Sequence, residues 1–243
     1  MNDRTALVTG ANKGIGLHIA RLLVAEGFVV HVGSRDAGRG RRAVEEIGGD
    51  ARLLLLDVTD PDSIATAAAR LDRLDVLVNN AGVMPSLAPP TETAMDDFRR
   101  AYETNVFGVA AVTNAFLPAL RRSPRPRIVN ISSGTGSLTW STNPNPQFTP
   151  GSGASAAYRS SKAALNALTV LYAQTLAPEG VKVNALAPGL RATDLTPGAA
   201  AAGGDPAEAA QGAVRLALLP DDGPTGGFFS WEDRKSTRLN SSH

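Results

Sequence analysis

The chain has 243 residues, 43% hydrophobic and 19% charged, with 24 Lys and Arg against 23 Asp and Glu for a net charge of +1. These proportions fit one large globular domain and exclude wholesale disorder, a collagen rod and a coiled coil. The balanced charge also argues against nucleic acid as a partner.

With no cysteine, disulfides, thiolate metal sites and cysteine nucleophiles are ruled out. His18, His31 and His243 stand far apart without ligand spacing, so no metal is expected. No run approaches the ~18 to 20 apolar residues that span a bilayer. The opening Met1-Asn2-Asp3-Arg4 has none of the parts of a secretory signal, so no membrane partner and a cytoplasmic address are expected.

Short β-branched runs alternate with longer Ala/Leu stretches of helical period. In chain order the pattern predicts strands near 4–9, 29–34, 51–56, 75–79, 127–132, 181–187 and 225–231, with helices near 14–26, 37–47, 61–72, 92–117, 155–177 and 206–219. Asp60-Pro61 supplies a cap and a first-turn proline, and Gly27 falls just past the first helix. Strict alternation predicts an α/β fold: a Rossmann-type, doubly wound, seven-stranded parallel sheet with helices on both faces, in one domain over 1–232. Ligands of such sheets bind beyond the carboxyl ends of the strands. Two stretches break the pattern, 134–155 and 188–205, both after strands and both long enough to read as substrate loops.

After the first strand comes Thr9-Gly10-Ala11-Asn12-Lys13-Gly14-Ile15-Gly16, leading into a helix. Glycines allow a sharp turn and close approach to a pyrophosphate, and the helix N-terminus offers free amides. The spacing Gly-x-x-x-Gly-x-Gly departs from Gly-x-Gly-x-x-Gly. The second strand ends Gly33-Ser34-Arg35-Asp36, where an acid would bind a ribose 2′-hydroxyl and an arginine a 2′-phosphate. Ser34 and Arg35 favour the phosphate, with Lys13 as a second cation. Asp36 keeps the ribose alternative open if the register moves by two residues.

With these motifs, Asp57-Val58, Asn79-Asn80-Ala81-Gly82, Asn105-Val106, Ile131-Ser132-Ser133, Tyr158 with Lys162, and Pro188-Gly189 with Thr193 follow in order. The sequence resembles the short-chain dehydrogenase/reductase family, in its single-domain carbonyl-reductase-like branch, over about 1–232. The resemblance implies a catalytic tetrad of Asn105, Ser133, Tyr158 and Lys162. It also implies cofactor contacts from Gly10, Asn12, Lys13, Gly14, Ile15, Gly16, Arg35, Asp57, Val58, Asn80, Ala81, Gly82, Tyr158, Lys162, Pro188, Gly189 and Thr193. Within it, Asp57 accepts from the adenine amino group and Lys162 also holds the nicotinamide ribose. Asn105 holds a water linking Lys162 to solvent, and Pro188-Gly189 with Thr193 meet the nicotinamide carboxamide.

The chemistry of the pair also follows from the residues. Tyr158 and Lys162 are four apart in a helical stretch and project from one face. A tyrosine of pKa about 10 is a poor proton donor or acceptor near pH 7. A cation some 4 Å away at an effective dielectric of ~20 contributes about 4 kcal/mol, roughly three pKa units. Tyr158 would then protonate the alkoxide oxygen as hydride arrives, while Ser133 hydrogen-bonds that oxygen. Spacing alone equally fits an exposed helical pair. Asn79 and Asn80 also read as turn residues, and Asp57 as a capping carboxylate.

One departure from the family is the 24 residues between Ser133 and Tyr158, more than compact members carry. Met84, Trp140, Phe148 and Leu190 point to an apolar substrate mouth. The expected activity is NADP(H)-dependent reduction of an aldehyde or ketone, a small-molecule substrate, in a homo-oligomer or a monomer. The alternatives are an NAD-dependent alcohol dehydrogenase of the same family and a catalytically silent dinucleotide sensor. The last eleven residues, Asp233 to His243, match the in-frame translation of a common sequencing-adapter oligonucleotide and are read as a non-native tail.

Overall fold

The computed structural model describes residues 4–142, 153–195 and 203–232. The tail 233–243 and Phe148 lie outside the described residues.

Strands β1 (Thr5–Val8), β2 (Val29–Ser34), β3 (Ala51–Leu55), β4 (Val76–Asn79), β5 (Arg127–Ile131), β6 (Lys182–Ala187) and β7 (Phe228–Ser230) form one sheet. All pairings are parallel and the order is β3-β2-β1-β4-β5-β6-β7. Chain direction across the sheet reverses between β1 and β4, the switch point where doubly wound sheets bind ligands. The helices are α1 (Gly14–Ala25), α2 (Ala37–Ile47), α3 (Pro61–Ala68), α4 (Met95–Tyr102), α5 (Gly108–Leu120), α6 (Leu138–Thr142), α7 (Ala156–Leu176) and α8 (Pro206–Ala217). No helix among the described residues is long and apolar enough to cross a membrane.

Period-two alternation divides the core between the faces. Ala6, Val8, Val76, Val78 and Val129 pack with Ile19 and Leu23 of α1 and Ala210 and Ala213 of α8. Leu7, Leu77 and Ile128 pack on the other face with Phe116 and Leu120 of α5 and Leu176 of α7. Fully burying a leucine or phenylalanine contributes roughly 1.5 to 3 kcal/mol, so a one-residue register slip in any central strand would be prohibitive.

The helix starts follow their local chemistry. Asp36, Asp60 and Asp205 cap α2, α3 and α8, each carboxylate accepting a backbone N–H of the first turn, and Pro61 and Pro206 occupy that turn. Gly27 takes a φ of 80° just past α1.

Two expectations are corrected. The single helix over 92–117 is α4 and α5 joined by a π-helical turn, Glu103–Phe107. Where α5 begins, a Cβ on Gly108 would lie 2.6 Å from the Val58 carbonyl oxygen, so the chain passes unusually close to the segment after β3. The described part of 134–155 is not structureless: it holds a 3₁₀ turn, Gly134–Gly136, and α6.

Candidate active site

Beyond β1 the chain turns through Gly10 at φ 62° and Gly14 at φ 58°, left-handed conformations that favour glycine. A Cβ on Gly10 would stand 3.0 Å from the Ala81 Cα, and one on Gly16 would stand 2.4 Å from the Asn80 amide nitrogen, so neither position accepts a side chain. Asn80 braces this loop by donating to the carbonyls of Thr9 and Gly10 at 2.9 and 3.2 Å. The Thr9 hydroxyl accepts the N–H groups of Asn80 and Ala81, both at 3.0 Å. Helix α1 opens on Lys13 with no side-chain cap and no acid in its first turn. Its leading amides and their partial positive charge therefore face an open cleft. A tight glycine turn aimed by an uncapped helix fits a dinucleotide pyrophosphate.

That cleft has a volume of about 600 Å³ and is walled by Gly10, Asn12, Lys13, Gly14, Ile15, Gly16, Arg35, Asp57, Val58, Asn80, Ala81, Gly82, Tyr158, Lys162, Pro188 and Thr193. These expected residues, from six separate segments, meet at the carboxyl end of the sheet. Ser34, Asp36 and Arg39 also line it. The Asp36 Oδ1 accepts from Arg39 N at 2.7 Å as the α2 cap. Asp57 accepts from the backbone N–H and the hydroxyl of Thr59 at 2.9 and 2.7 Å, so it makes a local turn while facing the cleft.

Lys13 is not a free cation. Its Nζ lies 2.8 Å from Asp194 Oδ2 on the segment after β6, an exposed pair that holds the Asp194 carboxyl below its ordinary range. Next to it, a Cβ on Gly14 would stand 3.3 Å from the Thr193 methyl, so this segment lies directly over the glycine turn.

At the other end, Tyr158 and Lys162 lie one turn apart on α7, both buried. Lys162 Nζ donates to the Ile131 carbonyl at 2.8 Å and sits 5.7 Å from the centre of the Tyr158 ring. Burial pushes the Tyr158 hydroxyl up to about 12, and the nearby Ser133 hydroxyl pulls the other way. Burial also lowers the Lys162 ammonium to about 8. The strong downward pull of Lys162 on Tyr158 expected from spacing is therefore not what this geometry gives. Both groups are desolvated, and the amine is engaged by a carbonyl.

Asn105, Ser133 and Gly189 are not in the cleft wall. Asn105, in the π turn, is fully buried, its carbonyl accepting from Val83 N and its amide donating to Val83 O, both at 2.9 Å. The Ser133 hydroxyl lies 2.8 Å from Thr135 Oγ1. Ser132 does reach the wall, but its hydroxyl donates to Asn166 Oδ1 at 2.6 Å. Gly189 is pressed against the Trp231 indole. Asn79 is not a turn residue: it ends β4, and its amide donates inside the core to Thr113 and Asn130. Of the expected apolar mouth, Met84 lines the cleft, Leu190 is exposed, and Trp140 instead packs on Phe228 with ring centres 5.7 Å apart.

Sequence reasoning missed Arg39, Asp194 and the buried Arg191. Arg39 had a signal, four residues after Arg35 at a helix start. Asp194 and Arg191 had none, since their partners are distant in sequence.

The family model for short chain dehydrogenases matches residues 4–202. Salutaridine reductase of Papaver bracteatum is 32% identical over 93% of this chain and 94% of its own. Cyclopentanol dehydrogenase of Comamonas sp. is 37% identical over 79% of this chain and 75% of its own. The solved structure of salutaridine reductase from Papaver somniferum superposes with a TM-score of 0.79 at 30% identity, over 93% of this chain and 99% of that one. A glycine turn beneath an uncapped helix, a buried tyrosine and lysine across the same cleft, and these similarities lead to one conclusion: the chain belongs to the short-chain dehydrogenase family, oxidoreductases that act on alcohol and carbonyl groups with a nicotinamide dinucleotide.

Proposed function

We propose that the protein is an NADP(H)-dependent carbonyl reductase of small aldehydes or ketones, working in the cytoplasm, with Tyr158 as its general acid. The observation that carries this reading is that Tyr158 and Lys162 line the same cleft as the glycine turn. A dinucleotide on the turn would bring its reactive end towards the tyrosine.

Gly10, Asn12, Gly14, Ile15 and Gly16 would hold the pyrophosphate. Asp57 and Val58 would meet the adenine, and Pro188 and Thr193 the nicotinamide, with Gly189 shaping the turn between them. Bound NADPH supplies the hydride. Tyr158 donates its proton to the substrate oxygen as negative charge grows there, and the Ser133 hydroxyl stabilises the same oxygen. Lys162 would hold the nicotinamide ribose, and Asn105 keeps the surroundings of Tyr158 in place. For the 2′-phosphate, Arg35 and Arg39 line the same cleft, and Asp36 beside them caps α2 through one carboxylate oxygen.

The test is absorbance at the nicotinamide band with a panel of aldehydes and ketones against NADPH and NADH. Carbonyl-dependent oxidation of NADPH in preference to NADH is expected. Oxidation of neither cofactor by any member of the panel would overturn the reading.

A further inference from the structure

Arg191 is a charged side chain only 5% exposed, in a stretch whose composition reads as a solvated loop. Burying a guanidinium is costly unless its donors are matched, and here they are. Nε donates to the Pro188 carbonyl at 2.6 Å, and Nη1 donates to Glu208 Oε2 at 2.6 Å and to the Asp205 carbonyl at 3.3 Å. The guanidinium carbon lies 3.8 Å from the centre of the Trp231 ring, a cation–π contact.

These contacts converge on the backbone that carries Pro188 and Thr193 of the cleft wall. Gly189 takes a φ of 71°, and a Cβ there would stand 2.7 Å from the Trp231 indole nitrogen. The Arg191 carbonyl accepts from Thr193 N at 2.8 Å, and Leu190 and Ala192 exchange backbone hydrogen bonds with Gly204. Trp231 is itself fixed, its N–H donating to the Ala187 carbonyl and its carbonyl accepting from Arg215. One guanidinium thus joins the turn after β6, the first turn of α8 and the residue after β7.

We propose that Arg191 is a positioning residue for the nicotinamide end of the cleft, setting Pro188, Gly189 and Thr193 by tying them to Trp231 and Glu208. This rests on the reading of the cleft as a dinucleotide site. A defect at that end should weaken the whole cofactor more than its adenine half, which meets this segment only where Thr193 overlies the glycine turn and Asp194 pairs with Lys13.

The experiment is calorimetric binding of NADPH and of 2′,5′-ADP to wild type, Arg191→Met and Trp231→Leu, with KM and kcat measured alongside. Arg191→Met should lose on the order of ten- to a hundred-fold in NADPH affinity and raise the NADPH KM to match. Its 2′,5′-ADP affinity should fall by no more than about three-fold, since that ligand lacks the nicotinamide end and meets this segment only at the glycine turn. Trp231→Leu should show the same split at smaller size, and it carries the test if Arg191→Met does not fold. Equal weakening of both ligands, or of neither, would overturn the role of Arg191. Wild type binding neither ligand would instead overturn the dinucleotide reading beneath it.

Discussion

Asn105 grips Val83 by both edges of its amide, accepting from the backbone N–H and donating to the carbonyl, each at 2.9 Å. The same amide donates to Ser161 Oγ at 2.9 Å, and Ser161 donates on to the Tyr158 carbonyl at 2.6 Å. The π turn thereby couples the segment after β4 to the helix that carries Tyr158 and Lys162. Such turns recur at functional sites because they redirect one side chain out of the regular helical face.

Asn105→Ala would leave Val83 with both backbone polar groups unmatched. Val83 is part-buried and lines the cleft, where water reaches it, so a loss of about 1 to 3 kcal/mol is expected in urea denaturation, with reduced turnover. Stability within about 0.5 kcal/mol of wild type would show that water takes over both groups.

Tyr158→Phe removes the proton and little else. It should lower kcat by several orders of magnitude while the cofactor Kd stays within about three-fold, since proton transfer contributes ~10² to 10⁴. Steady-state kinetics with fluorescence titration of the cofactor tests both parts. Retained turnover would remove Tyr158 from the mechanism.

The alternation of β-branched and Ala/Leu stretches made nearly every strand and helix legible, because each central strand is buried on both faces and each helix on one. The glycine turn and the Tyr158–Lys162 spacing were legible for a related reason: their chemistry is local. Three features were not. The π turn over Glu103–Phe107 leaves no mark in a 3.6-residue period. Arg191 sits among small residues and reads as solvated until Trp231 is placed against it. Lys162 is buried against the Ile131 carbonyl, a strand end thirty-one residues away.

Arg35 lines the cleft while Asp36 caps α2. Arg35→Ala should therefore weaken NADPH by roughly ten- to a hundred-fold, the equivalent of about 1.5 to 3 kcal/mol for one charge-assisted contact. NADH, lacking the 2′-phosphate, should change by less than about three-fold. Parallel titrations at one ionic strength decide it, and equal losses would show that Arg35 does not meet the phosphate.

The two buried titrating groups on α7 give stability a distinctive pH course. Lys162 falls from 10.5 to about 8 in the folded chain, and Tyr158 rises from 10.0 to about 12. Between about pH 8 and 10.5 the folded chain has released the Lys162 proton and the unfolded chain still holds it. Stability therefore climbs with pH across that window, by about 3 kcal/mol if the whole shift is realised. Above about pH 10 the sign reverses for Tyr158: the unfolded chain loses a proton that the folded chain keeps, so stability falls towards pH 12. Lys162→Met should abolish the climb, with a pH-independent loss from the unpaired Ile131 carbonyl, and Tyr158→Phe should abolish the fall. Urea midpoints of the cofactor-free protein from pH 7 to 11 separate these contributions, because titrations elsewhere cancel in the difference between variant and wild type. Wild-type and Lys162→Met curves that run parallel through pH 8 to 10 would show that Lys162 keeps an ordinary ammonium despite its burial.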